Sequence, residues 1–281
     1  MMMLMIIVAL ILLGLCFGSF VNALVWRLHQ QALPKKKRVS TDKELSVSKG
    51  RSMCPHCQHT LAWYDLLPVV SWLSLAGKCR YCKQPISGQY PLIELLTAGL
   101  FVASYIWWPT ELDHRGIFLL TVWLISLVGL VALIVYDIRW MLLPNKIVFP
   151  LIAIATLSVA GDSLYSDEPF HTILMSIGSL LVAGGIFYVL FQVSNGKWIG
   201  GGDVKLGFAL GLLLGRPDLA FLMLFTASIL GLVVSLPAVL SKKSKLSSKI
   251  PFGPFLIIAT IVVKLFGLSV IHWYTNTFLY L

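Results

Sequence analysis

Seven long apolar runs decide what this chain can fold into. They cover residues 1–26, 92–108, 117–136, 147–160, 173–193, 219–240 and 255–272 of 281. A helix that crosses a bilayer needs roughly 20 apolar residues, with about 17 as the lower limit. Every run reaches that limit except the fourth, which has 14 residues. Charged residues make up only 12% of the chain, whereas a soluble protein carries about 25%. Soluble enzyme classes are thereby excluded, and the chain reads as an all-α polytopic membrane protein.

Basic residues set the expected topology. The loop 27–91 holds eleven of the 22 Lys and Arg. Arg139, Lys146, Lys197, Lys205, Lys242, Lys243, Lys245 and Lys249 fall on the same side if residues 204–214 form an eighth, short segment. Without that segment the charge signs do not alternate. Arg115 and Arg216 fall on the other side with Glu111, Asp113, Asp162, Asp167, Glu168 and Asp218, and Lys264 lies inside the last run. The positive-inside rule then predicts both termini outside and the loop 27–91 in the cytoplasm. About eight segments are expected, the fourth and sixth short or partly re-entrant. The first run lacks a basic start and a small-residue exit, so it reads as an N-out anchor rather than a cleaved signal. Expected boundaries are a first transmembrane helix at 1–28, a cytoplasmic domain at 29–90 and a membrane core with seven further segments at 91–281. The formal charge of +10 is thus topogenic, and no nucleic-acid partner is expected. The cluster Pro34 to Arg38 reads the same way, with attraction to anionic lipid as the alternative.

The loop carries two cysteine knuckles, Cys54-Pro55-His56-Cys57 and Cys79-Arg80-Tyr81-Cys82, with 21 residues between them. Each turn presents two thiolates, and two such turns close a tetrahedron around Zn²⁺. Four protein ligands leave no open position, which makes the role structural. A disulfide is the rival, disfavoured by a reducing cytosol; thiols without metal are the other alternative. His56 and His59 read as solvated loop residues, and Cys16 as a small apolar residue of the first helix.

Of the twelve acids, four stand near the inner boundary: Asp65, Glu94, Asp137 and Asp203. Asp65 belongs to an insert, residues 63–72, expected to fold against the membrane face. Glu94 lies inside the second helix, where a tie between helices is the preferred reading. Asp137 closes one apolar run and Asp203 opens another, so both cap helices at the same depth. A charge at a membrane boundary is expensive and marks a functional candidate. Helix capping alone could account for Asp203. The preceding Gly200, Gly201 and Gly202 argue for more, because they let another backbone approach closely. Two carboxylates sharing a proton can hydrolyse a peptide bond, one activating water and the other protonating the carbonyl oxygen. Helix-end fields favour an ionised Asp203 and a protonated Asp137.

These motifs, in this order, resemble the bacterial type IV prepilin leader peptidase family along nearly the whole chain. The resemblance rests on Gly18-Ser19-Phe20-Val21-Asn22 with Arg27, both knuckles, residues 86–94, Asp137 to Pro144, Gly200-Gly201-Gly202-Asp203-Val204-Lys205 and Pro251-Phe252-Gly253-Pro254. It implies a bifunctional enzyme of the bacterial inner membrane with its active site facing the cytoplasm. Such an enzyme cleaves a basic leader from prepilins and pseudopilins with Asp137 and Asp203. It also methylates the new N-terminal residue with S-adenosylmethionine. Two departures from the family pattern stand out. Arg139 and Asn145 replace acids found in many relatives, which leaves Asp137 the only acid of its motif. No Gly-x-Gly-x-x-Gly turn marks a methyl-donor site; Glu94 and the zinc loop are the residues considered for it. The loop and the substrate leader are both basic, so lipid steering and burial of the substrate's apolar helix are the expected recognition terms.

Two other functions fit parts of the pattern. A proton-coupled transporter also uses intramembrane acids and broken, glycine-rich helices, but zinc knuckles suit it poorly. A zinc-dependent membrane adaptor would use both aspartates only as caps.

Overall fold

A computed structural model describes residues 1–240 and 251–278, with backbone alone at 237–240. Lys242, Lys243, Lys245 and Lys249 lie outside the described residues. The architecture is all-α. Ten helices form among the described residues: α1 Met2–Ala32, α2 Val70–Ser74, α3 Gln89–Ile106, α4 His114–Trp140, α5 Asn145–Leu164, α6 Pro169–Leu180, α7 Ile186–Ser194, α8 Gly201–Leu214, α9 Pro217–Leu240 and α10 Gly253–Phe278. One wider, π-type turn at Leu181–Gly185 joins α6 to α7. Among the described residues the β features are two isolated bridges.

Among the described residues seven helices are long and apolar enough to cross a membrane: α1, α3, α4, α5, the continuous stretch Pro169–Ser194, α9 and α10. The fourth is not short, contrary to the sequence reading. Its polar ends are helical too, so α5 has 20 residues. Asp162 near its C-terminus is neutralised by Arg115 at 2.7 Å, which lets the helix continue past the apolar run. The sixth segment is short as expected: α8 has 14 residues, about 21 Å of axis.

Contacts divide the chain into two units, Met1–Ala103 and Ser104–Leu281. In the first, α1 and α3 cross at small residues. A Cβ on Gly14 would stand 2.5 Å from the Ala98 Cα, and one on Gly18 2.5 Å from the Glu94 Cα. The buried Arg27 holds the loop by donating to the carbonyls of Ser46, Val47 and Gly50 at 3.2, 3.1 and 3.0 Å.

In the second unit α8 is the central element. Gly207 and Gly211, one turn apart, bring it against α6 and the π-type turn, because a Cβ at either would stand within 2.8 Å of the Ala183 or Ser179 carbonyl. Ser179 donates to the Gly211 carbonyl at 2.7 Å. Lys264, in the middle of α10, donates to the Leu213 carbonyl at 2.7 Å. The last carbonyls of a helix lack intrahelical partners, and a cation there meets the negative end of the helix. This explains a lysine inside an otherwise apolar run.

Candidate active site and metal centre

Both cysteine knuckles adopt one local structure. The Cys54 amide donates to the His59 carbonyl at 3.0 Å, and the Cys79 amide to the Gln84 carbonyl at 2.8 Å. Gln58 and Lys83, each just past the second cysteine, take φ of 58° and 59°. Bridges Met53–Thr60 and Lys78–Pro85 close the two turns at matching positions. The four Sγ atoms lie within 4.8 Å of one another, and Cys54 and Cys82 are 3.8 Å apart. In a tetrahedral site with Zn–S bonds of about 2.3 Å, sulfurs stand about 3.8 Å apart, so the cluster fits a metal ion. Burial pushes the Cys54 thiol up to about 12. Burial opposes the Cys79 thiolate as well, but the Cys82 and Tyr81 amides donate to it and hold it down at about 7. Four close thiols ionise together only with a cation among them.

The two aspartates are brought to one end of the second unit by three helix termini. Helix α4 ends just past Asp137, with Met141 left-handed (φ 51°) and its amide bonded to the Asp137 carbonyl at 2.8 Å. The turn then runs through Leu143 into α5. Leu143 touches both remaining termini: a Cβ on Gly202 would stand 3.2 Å from its Cβ, and one on Gly253 3.5 Å from its Cδ2. Asp137 is buried, at 5% exposure, and its carboxylate accepts the Gly253 amide. Asp203 is half-buried, and Asp137 is the charged neighbour that acts on it.

Asp203 is not the N-cap of its helix. Gly200 holds that position, and Asp203 is the third helical residue. Its carboxylate accepts the Gly200 amide, while its own amide donates to the Gly200 carbonyl at 3.0 Å. This is the back-reaching half of a capping box. Lys205, two residues further on, donates to the Asn145 Oδ1 at 3.1 Å and ties α8 to α5. Arg139 points outward, over the Trp140 ring at 5.7 Å.

Glu94 sits in the first unit, 5% exposed. Its carboxylate accepts the Val69 amide at 2.7 Å and the Ser19 hydroxyl, linking α3 to α1 and to the loop. At the far end of the second unit, beside the start of α4, lies a cavity of about 550 Å³. Its charged lining is internally paired, Arg115 with Asp162 and Arg216 with Asp218.

Gly253 and Leu143 were not singled out by the sequence, although Gly253 lies in a motif that matched. Gly253 carries no charge to reveal it; the signal would have been a glycine where a helix begins beside a carboxylate.

Residues 12–108 match the bacterial peptidase A24 N-terminal domain, and residues 123–236 match the type IV leader peptidase family. The prepilin leader peptidase/N-methyltransferase of Aeromonas hydrophila is 32% identical over 95% of this chain and 93% of its own length. The like-named protein of Bacillus subtilis is 35% identical over 82% and 87%. The type 4 prepilin-like proteins leader peptide-processing enzyme of an Escherichia coli strain is 34% identical over 86% and 87%. No solved structure matches. With both family domains in order and relatives of this identity along nearly its full length, the chain belongs to the type IV leader peptidase family.

Proposed function

We propose that this protein cleaves the leader from type IV prepilins and pseudopilins at the cytoplasmic face of the bacterial inner membrane and N-methylates the residue it exposes. The observation that carries the peptidase half is that Asp137 lies within electrostatic reach of Asp203, with Leu143 packed beside both Gly202 and Gly253. The relatives' names carry the methyltransferase half.

The reading gives the two carboxyl groups different tasks. The ionised one takes a proton from water, and the water oxygen bonds to the scissile carbonyl carbon. The other gives its proton to the carbonyl oxygen. The tetrahedral species then loses its C–N bond as the leaving nitrogen takes a proton. The products are a leader with a new carboxylate and a pilin with a free amino terminus. The Gly253 and Gly200 amides each orient one carboxylate. Side chains on Gly200, Gly201 and Gly202 would stand against the Asp203 carboxylate, Phe191 and Leu143, so the glycines let the first turn of α8 pack closely around Asp203.

Cys54, Cys57, Cys79 and Cys82 would hold zinc, which supplies a closed structural crosslink within the loop. S-adenosylmethionine is the methyl donor that the family implies. The Glu94 carboxylate accepts the Val69 amide and the Ser19 hydroxyl and ties α3 to α1 and the loop. No residue is assigned to the donor, and no step is derived through it.

The concentration of basic residues in one set of loops supports outward termini and an inward active site. The four-cysteine cluster and the relatives' names favour hydrolysis over proton transport. The test is incubation of the purified protein with a prepilin-like peptide in detergent. A mass loss equal to the leader is expected, and it should vanish in both Asp137→Asn and Asp203→Asn. Cleavage retained by either variant rules out the paired mechanism.

A further inference from the structure

The loop between the knuckles carries an apolar surface that the peptidase reading does not use. It is a strap of two short turns, Trp63–Leu66 and Val70–Ser74. Trp63 is 75% exposed, Leu73 63% and Val70 62%, with Tyr64, Leu66 and Leu67 exposed beside them. Twelve residues, 63–74, contain a single charge, Asp65. That carboxylate is turned away: its side chain is 3% exposed and bonded to Arg80 at 2.7 Å and Tyr81 at 3.1 Å. Burial alone would push it up, but Arg80, Tyr81 and the Ala62 amide hold it below the usual carboxylate range.

The attachment of the strap fixes its depth. Its central residue, Val69, adopts φ 60° and ψ −49°, a backbone state that a β-branched side chain resists. The Glu94 carboxylate holds it there through the Val69 amide at 2.7 Å. Glu94 is the sixth residue of α3, about 8 Å along the axis from Gln89. Helix α3 has 18 residues, about 27 Å of axis, against a hydrocarbon core of about 30 Å. All of α3 is therefore needed to cross, and Gln89 stands at the boundary. Helical side chains lean toward the N-terminus, so Glu94 meets Val69 at the edge of the core. The strap's polar groups suit a dry setting. Amides of Asp65, Val70, Ser71 and Leu73 bond to the carbonyls of Ala62, Pro68, Leu67 and Val69, and the Trp72 indole bonds to the Ile86 carbonyl at 3.1 Å.

We propose that residues 63–74 form an interfacial strap that lies in the lipid headgroup region, with Trp63, Val70 and Leu73 inserted toward the acyl chains, and that it takes anionic phospholipid. Charge complementarity selects that occupant. Arg51, Lys78 and Lys83 are exposed on the knuckles that flank the strap, and a basic side chain near an anionic leaflet gains about 1 kcal/mol, roughly fivefold. Trp and Tyr favour this layer because one end of the ring system is apolar and the other wet. Val69 and Glu94 act here as positioning residues.

The test uses the full chain in vesicles with p-benzoyl-phenylalanine at Leu73, or at the exposed Lys43 as control. After illumination, the mass of the crosslinked peptide is read. Lipid adducts at position 73 are expected, rising about fivefold when phosphatidylglycerol replaces phosphatidylcholine. Yields no higher than at position 43, or adducts only to added prepilin peptide, overturn the proposal; the latter assigns the surface to substrate. A second readout is tryptophan quenching by shallow brominated lipid. Trp63→Phe should lower the quenched fraction, and an unchanged fraction argues against insertion.

Discussion

The Gly253 amide donates to the Asp137 carboxylate, and a Cβ on Gly253 would come within 2.6 Å of the Asp137 Oδ2. No side chain fits at that position while Asp137 stays in place. Helix α10 can thus place its first amide against the Asp137 carboxylate because its first residue has no side chain. For Gly253→Ala we expect the carboxylate to be displaced and kcat for leader cleavage to fall about 100-fold, the scale of an ångström-sized misplacement. KM and the melting temperature should change little. Cleavage within twofold of the parent protein would show that Asp137 tolerates the shift.

Asp137 and Asp203 should behave as one unit. Residues that act together in one step are strongly non-additive. Asp137→Asn, Asp203→Asn and the double variant are expected to show the same residual cleavage rate in a mass-spectrometric time course. A double variant slower by the product of the two single losses would mean independent roles.

What the sequence revealed and what it hid follow from the range of the interactions. The knuckles were legible because each is a local turn whose spacing sets its geometry. Asp137 and Asp203 were legible because a charge at the end of an apolar run is costly to keep there unless it serves the protein's function. The length of α5 was not, since hydropathy ends at residue 160, whereas the Arg115–Asp162 pair carries the helix on to Leu164. The start of an apolar run allows Asp203 to be an N-cap. Only the backbone reveals that Gly200 takes the cap and Asp203 reaches back to it. The role of Gly253 depends on a contact with a residue 116 positions earlier, which no local pattern encodes.

Lys264 offers a test of how α8 is held. Its ammonium satisfies the Leu213 carbonyl at the C-terminal end of the 14-residue helix α8. Lys264→Met keeps the apolar stem and removes the donor. A hydrogen bond from a charged group contributes about 1.5–3 kcal/mol, offset by the cost of keeping a cation in the bilayer. A net loss of about 1–2 kcal/mol is expected, seen as a lower melting temperature in detergent. A higher melting temperature would mean that the desolvation cost of the lysine dominates.

Metal affinity at the knuckles should depend on pH with a definite sign. Thiolates, not thiols, bind the metal, so binding releases protons and weakens as pH falls. Without metal, Cys54 stays protonated to about 12 and contributes a released proton throughout the neutral range. Cys79, held at about 7, is mostly thiolate above that pH and adds little there. Below pH 7 it too must lose a proton to bind, so the dependence steepens. In a competition titration with a chromophoric chelator, zinc affinity should fall at least about tenfold per pH unit, and more steeply below pH 7 than above it. Cys54→Ser should weaken binding at every pH. An affinity flat between pH 6 and 8 would mean that the four sulfurs do not hold the ion together.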